Sequence, residues 1–297
     1  MSHRALVEIA VRARAWQRVL LILAVVLLAG CPGPAKPPPA PLGYGYPDAE
    51  KELDHFLCYT INDKESDSFD FNQKHSGSKV LFSDQFHKEQ FVPIPILGRE
   101  LLCNPALKTH GNKKFDKYVH EDAHLVCYRI AHLDGRLVRI FNQFETDGSD
   151  LGELKSELLC LPSGKSEDVK KPPAEPRAED LSHFLCYKDT KPYAMKDARA
   201  KVGDQFIKKK AQFSLKEREL HCNPADKEIQ DRDERDHDFG RQHPDAHLVC
   251  YTITPEVKEL PTAFKARIRN QFEDAVITTD KVKYLCVPSA KKELGHG

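Results

Sequence analysis

Hydrophobic and polar residues alternate with a period of two in short stretches along the chain, which predicts β-strands. In the first stretch, Leu57, Tyr59 and Ile61 share one face, and Phe56 and Cys58 share the other. A second alternating stretch keeps one phase in four places, at 80–86, 138–144, 200–206 and 266–272. Four copies of one phase are a stronger signal than a single window, so the chain is predicted to be all-β.

Three short motifs recur in the same order, so the chain consists of one unit written four times. The first, His-x-x-Cys-Tyr, begins at His55, His124, His183 and His247. The second, Asx-Gln-Phe, begins at Asp84, Asn142, Asp204 and Asn270. The third, Cys-x-Pro, begins at Cys103, Cys160, Cys222 and Cys286. Asp-Ala-His-Leu-Val-Cys-Tyr is intact at 122–128 and 245–251, which indicates that a pair of units was later duplicated as a whole.

The repeats predict two tandem disulfide-stapled β-sandwich or β-barrel domains, each a pseudo-twofold pair of three-strand units. One unit offers about three strands and is marginal alone, whereas two together can bury a shared core. The segment with Pro172, Pro173 and Pro176 reads as a linker. The expected boundaries are a signal peptide at 1–30, a lipidated Cys and Pro-rich tether without secondary structure at 31–50, β domain 1 at 51–165, a linker at 166–180 and β domain 2 at 181–291.

The N-terminus has the features of an export signal. Val19–Ala29 is unbrokenly apolar but much shorter than the about 20 residues that a spanning helix needs. Positive charge precedes it at Arg4, Arg12, Arg14 and Arg18. Leu28-Ala29-Gly30-Cys31 then resembles the lipobox of bacterial lipoproteins. The resemblance implies cleavage before Cys31, lipidation of its sulfur and anchoring in the cell envelope, and Pro32 favours the outer membrane; an ordinary secretory signal with a chance Cys is the alternative.

The chain has nine cysteines, and once Cys31 carries lipid the other eight divide evenly, two to a unit. Exported thiols oxidise, so these eight are predicted to form disulfides. Pairing within each unit is favoured, which gives Cys58–Cys103, Cys127–Cys160, Cys186–Cys222 and Cys250–Cys286. Pairing between neighbouring units, such as Cys58–Cys127, stays open. Zinc bound by His-x-x-Cys and a distant Cys is the other alternative.

The Asx residue of the second motif falls on the apolar face of its strand in every unit. A buried polar side chain needs hydrogen-bond partners, and an Asx side chain commonly accepts from backbone N–H groups of an adjoining turn. We therefore expect a structural role for Asp84, Asn142, Asp204 and Asn270. The alternative is a ligand-binding or calcium-binding carboxylate at Asp84 and Asp204.

His120-Glu121-Asp122-Ala123-His124 matches the H-E-x-x-H pattern of zinc peptidases, which requires a helix. His124 opens a strand-like run, and the second half of the chain has Pro244 in place of the glutamate, so we expect no metal and no catalysis here.

Charged residues make up 30% of the chain and the formal net charge is zero, which excludes the basic balance of nucleic-acid binders. Partner contacts are expected in the loops 106–123 and 226–246, where the copies differ.

The repeats resemble a Cys-containing domain of unknown function that recurs in exported bacterial proteins. The resemblance rests on the three motifs above and covers 53–165 and 181–291, and it implies fold and compartment without an activity. The expected function is an envelope-anchored lipoprotein whose β domains act as a non-catalytic binding or structural module. It would use no cofactor, and its partners would be the membrane, through the lipid, and an envelope protein or glycan. A metal-dependent enzyme or binder using His120, Glu121 and His124 is the alternative.

Overall fold

The computed structural model describes residues 46–70, 79–87, 92–174, 176, 181–230, 235–237, 242–257, 260–261 and 263–294. Tyr44–Gly297 forms one compact unit. The expected signal peptide, Cys31 and the tether up to residue 45 lie outside the described residues. None of the described helices has the length and apolar character needed to cross a membrane.

The described elements are almost all strands, which confirms the all-β prediction. Helix α1 spans Tyr46–Glu52, and a 3-10 helix spans Asp63–Glu65. The strands are β1 His55–Ile61, β2 Lys79–Asp84, β3 Val92–Pro93, β4 Ile96–His110, β5 Lys113–Phe115, β6 His124–Ile130, β7 Val138–Asn142, β8 Glu145–Asp150, β9 Leu154–Ser166, β10 His183–Ala194, β11 Arg199–Gly203, β12 Ala211–Gln230, β13 Arg235–His237, β14 His247–Pro255, β15 Lys265–Arg269 and β16 Asp274–Glu293.

The first and last long strands of every unit form a closed ring. Antiparallel pairing runs in the order β1, β4, β6, β9, β10, β12, β14, β16 and returns from β16 to β1. Closure leaves none of these eight strands as a free edge that could pair with another chain. All four units are therefore needed to complete one ring.

The second strand of each unit lies outside the ring and pairs with a unit from the other half of the chain. β2 of unit one pairs with β12 of unit three, and β11 of unit three pairs with β4 of unit one. β7 of unit two pairs with β16 of unit four, and β15 of unit four pairs with β9 of unit two. The structure therefore differs from the expected pair of separate domains, because strands of 51–165 pair with strands of 181–291 both in the ring and outside it. The same alternation occurs in all four units, so the sequence pattern does not predict which units pair with each other.

Alternation along the ring strands creates two cores. One face of each ring strand, with residues such as Leu57 and Tyr59, packs beneath the outer strands. The other face, with Phe56, Cys58 and their equivalents, fills the interior of the ring. Because successive side chains of a strand point to opposite faces, the same period-2 pattern that predicts the strands also assigns each residue to one core.

Four disulfides lie in the ring interior, where each cysteine faces its partner directly across two paired strands. They join Cys58 to Cys103, Cys127 to Cys160, Cys186 to Cys222 and Cys250 to Cys286, which is the pairing favoured within each unit. The sequence separations of 33 to 45 residues correspond to about 3.7–4 kcal/mol of loop-closure entropy each. The repeat thus supplies one staple per unit.

Helix α1 occupies the end of the segment that was expected to have no secondary structure. Ala49 is 5% exposed and Leu53 is 1% exposed, and both belong to the apolar cluster that contains Phe56 and Cys58. Burial of these residues against the ring stabilises a helix too short to be stable on its own. The expected tether therefore ends in an ordered element.

Candidate functional site

Asp84 is the centre of a buried polar cluster between the ring and the outer strands. Its Oδ1 accepts hydrogen bonds from the backbone N–H groups of Phe86 (2.9 Å) and His87 (3.0 Å). Its Oδ2 accepts from Tyr187 Oη and from Asn223 Nδ2, each at 2.9 Å. The turn bonds are those expected for an Asx side chain that caps its own strand, and the other two come from unit three.

Asp204 forms the matching cluster, with the two units exchanged. Its Oδ1 accepts from the N–H groups of Phe206 (3.0 Å) and Ile207 (2.7 Å). Tyr59 Oη lies 3.0 Å from its Oδ2, and Asn104 Nδ2 donates to the same oxygen over 2.9 Å. Units one and three therefore hold each other through two reciprocal Asp–Tyr–Asn clusters.

Units two and four repeat the exchange with Asn in place of Asp. Asn142 Nδ2 donates to Tyr251 Oη over 2.8 Å, and Asn270 Nδ2 donates to Tyr128 Oη over 2.9 Å. The Oδ1 atoms accept from turn N–H groups, as at Phe144 (2.9 Å). The predicted structural role of the Asx residue is thus confirmed in all four copies, and the tyrosine of the first motif proves to be its partner in each.

The Asn clusters obtain their negative charge from a glutamate three residues later. Tyr251 Oη donates to Glu145 Oε2 over 2.5 Å, and Arg218 Nη1 donates to Glu145 Oε1 over 2.6 Å. Arg218 also lies 3.2 Å from Asp189, and all these side chains are buried. Burial, followed by the charge of Glu145, raises the pKa of Tyr251 well above its ordinary value. The equivalent glutamate, Glu273, binds Tyr128 and Arg99.

The two aspartates have opposite pKa shifts although their clusters match. Burial would raise the pKa of Asp84, but hydrogen bonds from His87, Asn223 and Tyr187 hold it below its ordinary value. Burial also raises the pKa of Asp204, and there it outweighs the donors, so the pKa stays above the ordinary value. The chemical difference is His87 Nδ1, 3.1 Å from Asp84, where the other copy has Ile207.

Sequence reasoning missed a lysine at a repeated position in each unit, which is buried in three copies and partly buried at Lys165. Lys108, Lys165, Lys227 and Lys291 each follow the second cysteine of their unit by the same spacing. Each ammonium lies over the phenylalanine ring of the next unit's Asx-Gln-Phe motif, at 4.9, 4.1, 5.5 and 4.5 Å from the centroids of Phe144, Phe206, Phe272 and Phe86. Burial lowers the pKa of Lys165 to about 8. These cation–π contacts link the units cyclically, from unit four back to unit one.

The histidines of the first motif are buried beside these lysines. His55 is 3% exposed, and its Nε2 lies 2.9 Å from Nε2 of Gln143, the glutamine of the second motif in unit two. Burial, then the charge of Lys108, lowers the pKa of His55 well below its ordinary value. Burial lowers the pKa of His124 and of His247 in the same way. Neutral, enclosed imidazoles of this kind serve packing and hydrogen bonding rather than proton transfer with solvent.

The H-E-x-x-H residues do not lie on one face of a helix. His120 and Glu121 lie in turns, and His124 is the first residue of β6 and is 2% exposed. The N–H of His120 donates to Asp54 over 2.7 Å, so this turn is held by the residue that precedes β1. Within the part of the chain that the structure describes, no three His, Cys, Asp or Glu side chains are grouped to hold a metal ion.

The two loops expected to contact partners differ in how much of them is described. Residues 106–123 contain the end of β4, the strand β5 and the turns before β6. In 226–246, β12 extends to Gln230 and β13 pairs with it, while 231–234 and 238–241 lie outside the described residues. In the described residues of both copies, a short strand pairs back onto the end of a long ring strand, β5 onto β4 and β13 onto β12.

The polar residues that recur in the four units make contacts inside the protein. The polar clusters connect units one with three and two with four, and the lysines connect each unit with the next. The ring interior is lined by apolar side chains and cystines. No protein-family model, curated protein or solved structure matches this chain.

Proposed function

We propose that this chain is an exported lipoprotein of the bacterial cell envelope that acts as a non-catalytic binding or structural module. The observation that carries the proposal is the set of four disulfides inside the ring. Disulfides form and persist in oxidising compartments, so eight paired cysteines favour export. They also replace thiols that would otherwise be available as nucleophiles or metal ligands.

The lipobox-like sequence Leu28–Cys31 supports a lipid anchor. Helix α1 supports a connection between that anchor and the ring, because it joins the Pro-rich spacer to the folded body. The Pro-rich segment after Cys31 favours an extended, semi-rigid spacer. Ala49 of α1 and Leu53 then pack into the core of the ring. Lipid, spacer and ring would thus hold the folded body at a set distance from the membrane, and Pro32 favours the outer membrane.

The state of the polar clusters supports a non-catalytic role. Asp84 and Asp204 each accept hydrogen bonds from two backbone N–H groups, a tyrosine and an asparagine. A carboxylate held in this way by groups of the chain itself stabilises the fold. Contacts with an envelope protein or glycan then fall to the loops 106–123 and 226–246.

Metabolic labelling tests the anchor. The full chain is expressed in a bacterial host fed with an alkyne-bearing fatty acid, beside a Cys31→Ser variant. We expect label and membrane association for the native chain, and neither for the variant. Equal labelling of both proteins, or a native chain released without lipid, would contradict the proposed anchor.

Site-specific photo-cross-linking in intact cells tests for a partner. A photoreactive residue replaces Lys113, which is exposed in β5, and in a control it replaces Lys216, which is exposed in β12. A reproducible adduct at residue 113 alone would assign binding to the loop, and no adduct at either position would favour a structural module. Stoichiometric zinc in the purified protein that is lost on His120→Ala would contradict the non-catalytic proposal.

A further inference from the structure

Three buried side chains, those of Lys291, Asn223 and Asp84, are linked by hydrogen bonds through the carboxamide of Asn223. Lys291 Nζ donates to Asn223 Oδ1 over 2.9 Å. Asn223 Nδ2 donates to Asp84 Oδ2, also over 2.9 Å. Lys291 is 6% exposed, and Asn223 and Asp84 are fully buried. An amine, a carboxamide and a carboxylate therefore meet in an enclosed site.

His221 adds a fourth group, aimed at the carbonyl oxygen of the carboxamide. His221 Nε2 lies 2.9 Å from Asn223 Oδ1. Since that oxygen can only accept and Nδ2 faces a carboxylate, Nε2 of His221 must carry the proton and donate. Two donors on Oδ1 polarise the carbonyl and would stabilise the negative charge that develops there during attack on Cγ.

We propose that Lys291 and Asn223 become joined by an intramolecular isopeptide bond. Asp84 takes a proton from the Lys291 ammonium, and the free amine attacks Cγ of Asn223. Asp84 returns the proton to the Nδ2 group, the Cγ–Nδ2 bond breaks, and the leaving group takes the second amine proton of Lys291 and departs as ammonium. One C–N bond forms and one breaks, so no oxidant or other reactant is needed.

The surroundings favour this reaction over a lasting hydrogen bond. The Lys291 ammonium lies over the ring of Phe86, 4.5 Å from its centroid, in a site closed to bulk water. Held reactants react as if at very high effective concentration, and a positioned carboxylate accelerates each proton transfer by about 10²–10⁴-fold. Both conditions are met by the fold itself.

The other copies provide an internal comparison. Lys165, Asn104 and Asp204 repeat the three residue types, and Asn104 donates to Asp204. Among the described residues, however, neither Lys165 Nζ nor Asn104 Oδ1 has a hydrogen-bond partner, so this amine and carbonyl are not in contact. Units two and four have Leu161 and Val287 in the position of the asparagine and offer no carboxamide carbon. The inference therefore concerns Lys291 and Asn223.

The bond would connect two units that the disulfides leave separate. Asn223 lies in β12 and Lys291 in β16, on either side of β14 in the ring. The disulfides instead join Cys186 to Cys222 and Cys250 to Cys286. An isopeptide bond would thus hold the C-terminal strand to unit three even after reduction. This inference does not depend on the lipid anchor.

Peptide mass spectrometry of the full chain, after reduction, alkylation and trypsin, tests the proposal. A linked protein yields a branched peptide of residues 219–227 and 284–292, because trypsin does not cleave at an acylated lysine. Its mass equals the sum of the two peptides less one ammonia. Recovery of residues 219–227 and 284–291 only as separate peptides would overturn the proposal.

Three variants check the chemistry. Lys291→Arg keeps the charge and should abolish the branched peptide, whereas Lys292→Arg, at the exposed neighbouring position, should retain it. Asp84→Asn removes the proton carrier and should reduce the linked fraction at least tenfold. An undiminished linked fraction in Asp84→Asn would overturn the role of the carboxylate, and a branched peptide in Lys291→Arg would overturn the assignment.

Discussion

The Asp84 and Asp204 clusters differ in composition at one position, His87 in the first and Ile207 in the second. Exchanging these two residues tests whether His87 causes the opposite pKa shifts of the aspartates. His87→Ile gives the Asp84 cluster the composition of the Asp204 cluster, and Ile207→His does the reverse. The first change removes the Nδ1 donor that lies 3.1 Å from Asp84 Oδ1. We expect the pKa of Asp84 to rise in His87→Ile and the pKa of Asp204 to fall in Ile207→His.

A hydrogen bond to a charged group contributes about 1.5–3 kcal/mol. The side chain of His87 is 23% exposed, so solvent weakens the bond, and other donors remain on Asp84. We therefore expect His87→Ile to lower the free energy of unfolding by about 1–2 kcal/mol at neutral pH. Replacement of the imidazole by an apolar side chain of similar volume limits the packing loss.

The pH dependence follows from the direction of the shift. The pKa of Asp84 is lowered in the folded protein, so the unfolded chain binds more protons, and the stabilisation is present above the unfolded pKa near 3.9. It is lost as the pH falls through the folded pKa. The free energies of unfolding of the native chain and of His87→Ile should therefore converge as the pH falls below about 4.

Urea denaturation at pH 7 and pH 3, with the disulfides intact, measures the stability difference. Carboxyl-carbon NMR titration of the native chain and both variants measures the pKa of each aspartate. An unchanged pKa of Asp84 in His87→Ile would refute the reasoning. So would a loss of stability that is equal at the two pH values.

Three further outcomes test the packing of the ring and its outer strands. Arg218→Ala should lower the free energy of unfolding by about 3–5 kcal/mol in urea, because it leaves buried carboxylates unpaired, whereas Arg139→Ala at an exposed ion pair should cost less than about 1 kcal/mol. Tyr251→Phe should cost about 1–3 kcal/mol in the same assay, since Glu145 then loses a buried donor; an effect near zero would contradict that role. Thiol titration without reductant should find none of the eight ring cysteines free, and removal of the Cys127–Cys160 disulfide should lower the melting temperature by several degrees.

The sequence by itself determined the local structure and the chemistry of the unit. The period-2 phase predicted the strands and their two faces, and the placement of Asp84 on an apolar face predicted its bonds to turn N–H groups. The even division of the cysteines favoured pairing within a unit, as at Cys58 and Cys103. These inferences succeed because strand alternation, Asx turns and disulfide pairing within one unit depend on residues close in sequence or on a pattern repeated four times.

Only the tertiary structure decided how the four units combine. The linker at 166–180 indicated two domains, whereas the strands of the two halves pair with one another around one ring. All four units have the same strand pattern, so the sequence does not predict which unit supplies the tyrosine that binds Asp84. In the structure it is Tyr187, two units away. The contact between Lys291 and Asn223 also depends on this long-range choice, since the two residues belong to different units.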